Sequence, residues 1–189
     1  NHIIIINIAN GTYPEAIRIE GKVGKGKISL SPGTNVIISG ITDAVTQSIG
    51  KTAIAINKSY ITVSISPNPV IIKPADNVGS DGFAGLDMSE SVSSGVFLIN
   101  LNGSDVTASG GNKWGIKINS STIHVADCTI SNCNFAIYGE PHAKIHSRNN
   151  SGTGNTVVLS ARRGSTISKE GTQPSGTTAE QVQTGGVIR

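Results

Sequence analysis

The chain has 189 residues and a formal net charge of +3, and 37% of its residues are hydrophobic although only 4% are aromatic. Its apolar residues are mainly Ile and Val, interspersed with 23 glycines. This composition predicts an all-β protein with many short strands and tight turns, because β-branched side chains favour strands. Two cysteines, Cys128 and Cys133, are too few for a disulfide scaffold, so we expect both to be buried and reduced. No apolar stretch is long enough to span a membrane, which argues against membrane insertion.

Residues 1–33 are predicted to form an entry coil. An Ile-rich strand at residues 3–8 is followed by a turn at residues 10–14 and a second strand at residues 16–20. A glycine loop at residues 21–27 leads into the next strand, and its glycine spacing is not that of a dinucleotide-binding turn.

Three later segments share the pattern apolar-x-apolar-Asn-x-Ser-x-apolar-x-apolar: residues 54–63, 99–108 and 116–125. Each half of the pattern alternates with period two, which predicts two short strands with one buried face each. The Asn lies at the junction, where tolerance of left-handed backbone allows a sharp bend. We therefore predict that Asn57, Asn102 and Asn119 stack above one another as a structural ladder of side-chain amides.

A second spacing indicates how the strands are wound. Thr122-Ile-His124 recurs 22 residues later as Lys144-Ile-His146, which places the two histidines on adjacent coils and facing outwards. A period near 20 is typical of one coil of three short strands. The sequence therefore predicts a right-handed, single-stranded parallel β-helix, a solenoid, with a β-sandwich as the structural alternative.

The repeat pattern also predicts the domain organisation. Residues 1–169 should form the β-helix, and residues 74–95, where the pattern breaks, should protrude as a loop. Residues 170–189 are rich in Gly, Thr and Gln and are predicted to be an extended C-terminal tail or a connector to a further domain.

Several motifs resemble a known family. The segment Asn10-Gly-Thr-Tyr-Pro-Glu15, between two Ile-rich strands, looks like the first coil of pectin-lyase-like β-helices, and residues 127–139 resemble later coils. The closing stretch from Gly164 to Arg189 is similar to β-helical tail spikes, tail fibres and neck appendages of phages that infect Gram-positive bacteria.

The resemblance implies a virion protein of the tail or appendage, assembled in the host cytoplasm as a homotrimer together with other tail or fibre domains. It implies contact with host cell-surface polysaccharide or teichoic acid. Some members of the family cleave that polymer and others only bind it. We expect a structural and host-recognition module, without a nucleic-acid partner. A polysaccharide- or teichoic-acid-degrading tail spike, either a glycosidase or a lyase, and a bacterial surface adhesin are the alternatives.

Candidate site residues fall into two groups. Between residues 113 and 169, Lys and Arg outnumber Asp and Glu by seven to two, which favours an anionic partner. The candidate carbohydrate-binding residues are Lys117, His124, Tyr138, Lys144, His146 and Arg148. Glycoside hydrolysis needs a pair of carboxyl groups, for which only weak candidates exist: Asp81, Asp87 and Glu90. These acidic residues do not have the spacing of an EF-hand loop, so we expect no cofactor, with calcium as the alternative.

Overall fold

The computed structural model describes residues 3–13, 15, 17–21, 23–39, 54–58, 60–73, 83–89, 97–102 and 113–189. Strand pairing throughout these ranges is parallel, and none of them contains a helix, so the predicted all-β parallel β-helix is confirmed. The same residues accordingly include no helix that could cross a membrane.

The strands form three stacks, which we call the first, second and third sheets. The first sheet contains β1 (Ile3–Ile8), β2 (Gly11–Tyr13), β4 (Val23–Pro32), β5 (Val36–Ser39), β7 (Tyr60–Lys73), β9 (Phe97–Asn102) and β12 (Thr129–Ser131). The second sheet contains β3 (Ile17–Glu20), β6 (Ile54–Asn57), β8 (Phe83–Ser89), β10 (Lys113–Asn119), β13 (Phe135–Glu140), β15 (Asn155–Arg162) and β17 (Gly176–Gln183). The third sheet contains β11 (Thr122–Ala126), β14 (Lys144–Arg148), β16 (Thr166–Glu170) and β18 (Val187–Ile188).

The core is a set of apolar columns that run along the solenoid. In the second sheet, one column contains Ile17, Ile54, Leu86, Ile116, Ile137 and Leu159. In the third sheet, Ile123, Ile145 and Ile167 stack in register. Burying a side chain of this size contributes about 1.5–3 kcal/mol, so the columns supply the main driving force for winding the chain.

Coil length differs between the two halves of the chain. Ile137 pairs with Leu159, and their separation in the sequence equals the predicted period. Ile54, in contrast, pairs with Leu86, and that separation is much longer than the period. The short period therefore holds in the C-terminal half, whereas the coil that joins Ile54 to Leu86 contains additional residues between strands.

The predicted amide ladder is wrong for Asn102. Asn57 and Asn119 do share one column of the second sheet, where both pair with Ser89. Asn102 instead belongs to the first sheet, in which it pairs with Ser131. The three matching segments do not share one phase because alternation of apolar residues is the same on every face of a solenoid, and the long coils shift the second copy to another face.

The residues that bend the chain differ from the predicted asparagines. At the bends that follow Asn57 and Asn119, the residues with left-handed backbone are Lys58 and Ser120, with φ of 48° and 45°. Another bend column contains Asp127, Asn149 and Gly171, with φ of 55°, 49° and 63°. The Asp127 backbone N–H donates to Arg148 O at 3.1 Å, which ties this bend to the next coil.

Residues 170–189 are not an extended tail. Strand β17 pairs with β15, and β18 pairs with β16, so this segment forms a further coil. One of its inward positions carries a charged side chain: Glu180 continues the column of Leu159 and forms an ion pair with Lys169. The sequence pattern failed here because the lumen side of this coil is partly open to solvent, where charged side chains are tolerated.

The predicted loop at residues 74–95 is also incorrect in its middle part. Residues Phe83–Ser89 form strand β8, which pairs with β6 on one side and β10 on the other. Residues 74–82 and 90–95 lie outside the described residues. Leu86 and Met88 are fully buried in the core, which explains why this segment belongs to the solenoid.

Two asparagines that the sequence pattern did not single out join adjacent coils inside the solenoid. The buried Asn150 amide accepts from Cys128 N at 2.9 Å and donates to Val125 O at 3.1 Å. The Asn155 amide accepts from Cys133 N at 3.1 Å and donates to Ile130 O at 3.0 Å. Each amide therefore satisfies backbone groups at a bend that would otherwise be buried without partners.

Neither cysteine forms a disulfide, and both are fully buried, as predicted. The Cys128 thiol lies 3.3 Å from Ala126 O, and the Cys133 thiol lies 3.2 Å from Ser131 O. Each thiol therefore acts as a small core residue that donates to the carbonyl two residues earlier.

Candidate functional site

The six predicted carbohydrate-binding residues lie on two different sheets. Four of them belong to β11 and β14 of the third sheet: His124, Lys144, His146 and Arg148. The other two, Lys117 and Tyr138, pair directly with each other across β10 and β13 of the second sheet. The structure thus divides the predicted set into two clusters, which we call the histidine face and the aromatic cluster.

Two stacked imidazole rings form the centre of the histidine face. His124 and His146 pair in register on adjacent coils, as their spacing in the sequence predicts. Their ring centroids are 4.5 Å apart and the ring planes differ by only 13°. The parallel β-register fixes this geometry, because outward side chains at paired positions of neighbouring strands must lie side by side.

A shallow cleft of about 350 Å³ opens beside the stacked rings. Its walls combine hydroxyl groups, cations and the edges of two core isoleucines: Thr122, Ile123, Lys144, Ile145, His146, Thr166, Ser168 and Arg189. Ser168 follows His146 in the same column, and the Arg189 side chain donates to the Ser168 hydroxyl at 3.5 Å. Such a cleft offers donors and acceptors to a hydroxyl-rich ligand and small apolar surfaces to its C–H groups.

The electrostatics of the histidine face depend on a few groups. Glu170 Oε2 lies 3.4 Å from His146 Nε2, so this carboxylate faces the ring of the second histidine. The pKa of His124 is lowered from its ordinary value, first by burial and then by repulsion from His146 and Arg148. Lys144 and Arg148 are exposed on β14 and have no ion-pair partner within the described part of the chain. The face therefore presents free cations next to a neutral imidazole.

The aromatic cluster includes residues that sequence reasoning did not select. Trp114, Phe135 and Arg162 surround Tyr138 on the outer side of the second sheet. The ring centroids of Trp114 and Phe135 lie 5.8 Å and 5.0 Å from that of Tyr138, and the Arg162 guanidinium carbon lies 5.1 Å from it. Because Tyr138 is only 5% exposed, its ring cannot serve as an open sugar platform. Tyr138 therefore stabilises the packing of this face instead of offering itself to a ligand.

Burial controls the acid–base behaviour of Tyr138 and leads to a testable prediction. Burial and a hydrogen bond from its hydroxyl to Glu140 raise the pKa of Tyr138 to about 12. In the unfolded chain a tyrosine loses its proton near its ordinary pKa of about 10, so the folded state loses stability as pH rises from 10 towards 12. We expect urea unfolding to show a steeper alkaline loss for the parent protein than for Tyr138→Phe. Equal alkaline slopes for both proteins would contradict this assignment.

The predicted catalytic carboxylates receive no support as a pair. Asp81 and Glu90 lie outside the described residues, and Asp87 occupies a β8 position that pairs with Lys117. Within the ranges that the structure describes, no group of three or more His, Cys, Asp or Glu side chains could hold a metal ion. The calcium alternative therefore has no supporting geometry in those ranges.

Comparison with known proteins gives no family assignment. No family model, curated protein or solved structure matches this chain. The function of the chain must therefore be inferred from its own residues and their geometry.

Spacing alone could have extended the predicted site. Thr166 and Ser168 follow Lys144 and His146 by one period, and both pairs are in register. On the second sheet, Phe135 follows Trp114 by nearly the same interval and pairs with it. The same period that predicted the histidine stack thus contained these neighbours, although nothing in the residue types marked them.

Proposed function

We propose that this chain is a structural and host-recognition module that binds cell-surface carbohydrate through the histidine face. The observation that carries the proposal is the pair of stacked imidazoles beside a cleft of mixed polar and apolar lining on the outside of the solenoid. Flat rings cover the apolar faces of sugars, and hydroxyl and cationic side chains bind their oxygen atoms. A parallel β-solenoid also provides a rigid scaffold on which such groups keep fixed spacing.

The assignment to a phage tail or appendage fibre is part of this proposal and rests on the resemblance of the sequence motifs. A homotrimer that contacts polysaccharide or teichoic acid of a Gram-positive host would suit an elongated, stacked module. Binding without cleavage is the version that we favour, because the side chains that line the cleft provide hydroxyls, cations and one imidazole but no pair of carboxyl groups.

Retention of the protein on purified Gram-positive cell-wall polysaccharides tests the proposal. We expect measurable binding, and the double substitution His124→Ala and His146→Ala should weaken it at least about tenfold because the stacked rings are lost. Arg18→Ala is the matched control, since Arg18 is exposed on the second sheet, away from the cleft. Thermal unfolding of each variant shows whether the solenoid remains intact.

Three outcomes distinguish the alternatives. Binding that is lost with Lys117→Ala but kept in the double histidine variant would move the site to the aromatic cluster and overturn the proposal. New reducing ends after incubation would favour a degrading enzyme. Absence of binding to every polysaccharide would remove the carbohydrate function.

A further inference from the structure

The charge on the histidine face is nearly balanced until its histidines gain protons. The groups that face the two rings come from β14, β16, the bend before β12 and the cleft wall: Lys144, Arg148, Arg189, Asp127 and Glu170. Three side chains in this set are cationic and two are anionic. Protonation of both imidazoles would therefore add two positive charges to a face that carries only a small excess of cations.

We infer that the ligand of the histidine face is an anionic glycan, a sugar polymer carrying phosphate or carboxylate groups, and that its binding strengthens as the histidines gain protons. This inference rests on the proposed carbohydrate function and specifies its substrate class. The hydroxyl groups of Thr122, Thr166 and Ser168 would form hydrogen bonds with the sugar hydroxyls, and the cationic side chains would pair with the acidic groups of the glycan.

The stacked geometry brings charge repulsion to bear on the two histidines when both carry protons. Two imidazolium rings with centroids 4.5 Å apart repel each other, and Arg148 adds further repulsion at His124. Among the described residues, Asp127 and Glu170 act in the opposite direction on that ring. Charge repulsion at this separation therefore opposes the state in which both rings are protonated.

A bound anion reverses this balance. Its negative charge near the cleft offsets the repulsion between the rings, so the complex holds protons that the free protein does not. By linkage, a ligand that increases proton binding must itself bind more tightly as pH falls. A neutral glycan has no such coupling, since it adds no charge beside the imidazoles.

Calorimetric titration of the whole chain with defined polymers tests the inference. The probes are polyglycerol phosphate, polygalacturonate, neutral dextran and a single-stranded DNA oligonucleotide, at constant ionic strength and at about pH 7.5 and about pH 5.5, on either side of the ordinary histidine pKa. We expect one or both anionic glycans to bind about tenfold more tightly at the lower pH. Dextran affinity should not change with pH.

Variants separate a role in charge from a role in structure. The double substitution His124→Gln and His146→Gln should abolish the dependence on pH, whatever affinity remains. Lys144→Gln should lower the affinity for the anionic glycans about tenfold at both pH values. The dependence of that affinity on pH should be preserved. Arg18→Gln, on the second sheet, should change neither quantity.

The outcomes of the titration have distinct meanings. Tighter binding of the phosphate polymer or of the carboxylate polymer would identify the acidic group that the site recognises and would support the inference. Dextran bound as tightly as the charged polymers at both pH values would overturn the inference and leave the carbohydrate function intact. DNA bound as tightly, with the same pH dependence, would overturn the glycan specificity. Binding of none of the probes would contradict the inference and weaken the carbohydrate function as well.

Discussion

Replacing Gly152 with alanine should destabilise the solenoid by about 3–5 kcal/mol, because the substitution combines backbone strain with a steric clash. Gly152 has a backbone φ of +128°, which residues with a side chain rarely adopt. A Cβ atom placed there would lie 1.9 Å from Ile130 O. The clash involves the backbone of the adjacent coil, where Ile130 N donates to Ser151 O at 2.7 Å. Relief would therefore require the two coils to separate. The midpoint of urea unfolding measures the loss.

Gly185→Ala provides the matched control for this prediction. Gly185 has φ of +74°, but nothing lies within 4 Å of the position that a Cβ would take, so only backbone strain of about 1 kcal/mol is expected. If both variants lost the same stability, the close approach of the coils at Gly152 would not be an important constraint. A change in the slope of the unfolding curve instead of its midpoint would indicate an altered unfolded state.

The sequence predicted the winding of the chain best where each coil has the minimum length. His124 and His146, one period apart in the sequence, lie in register because no additional residues separate their strands. Ile54 and Leu86 could not be matched in the same way, since a longer segment without a repeat separates them. Periodicity in a solenoid therefore predicts neighbours only when the connections between strands are constant in length.

Amide side chains show a second limit of prediction from the sequence, which concerns the burial of polar residues. The sequence shows which asparagines recur after apolar alternation, as Asn57 and Asn119 do, but those lie on the half-buried strand ends. Asn150 lies just after a bend and Asn155 is the first residue of β15; both carry buried hydrogen bonds, and neither belongs to a repeated motif. Burial of a polar residue depends on what the adjacent coil places above it, and a single sequence does not contain that information.

For the candidate site, the sequence predicted the orientation of side chains better than their exposure. Outward alternation and the period correctly placed His124 and His146 side by side on one face, because a strand has only two sides. The same rule placed Tyr138 outwards and implied exposure, yet Trp114, Phe135 and Arg162 cover its ring. Orientation follows from the pattern of one strand, whereas accessibility depends on lateral neighbours from other coils.

Asn155→Ala should lower the free energy of unfolding by about 3–5 kcal/mol, because each buried backbone partner left without a hydrogen bond costs about 1–3 kcal/mol. The amide of Asn155 is 2% exposed; it accepts from Cys133 N and donates to Ile130 O and Ser175 O, at distances of 3.1, 3.0 and 3.1 Å. Its partners belong to three different strands or bends, so alanine would leave unpaired groups on successive coils. Urea unfolding should show a lower midpoint with an unchanged slope.

Asn119→Ala is the informative comparison because it substitutes the same residue type in the predicted ladder. Its amide oxygen accepts one exposed hydrogen bond, from the Ser120 hydroxyl at 3.1 Å, so we expect a change within about 0.5 kcal/mol. A larger loss at Asn119 than at Asn155 would mean that amides on the outer column hold the coils together, as the repeat pattern predicts. The reverse order would show that a parallel solenoid is secured by the few polar side chains that its lumen encloses, because those have no water to replace a lost partner.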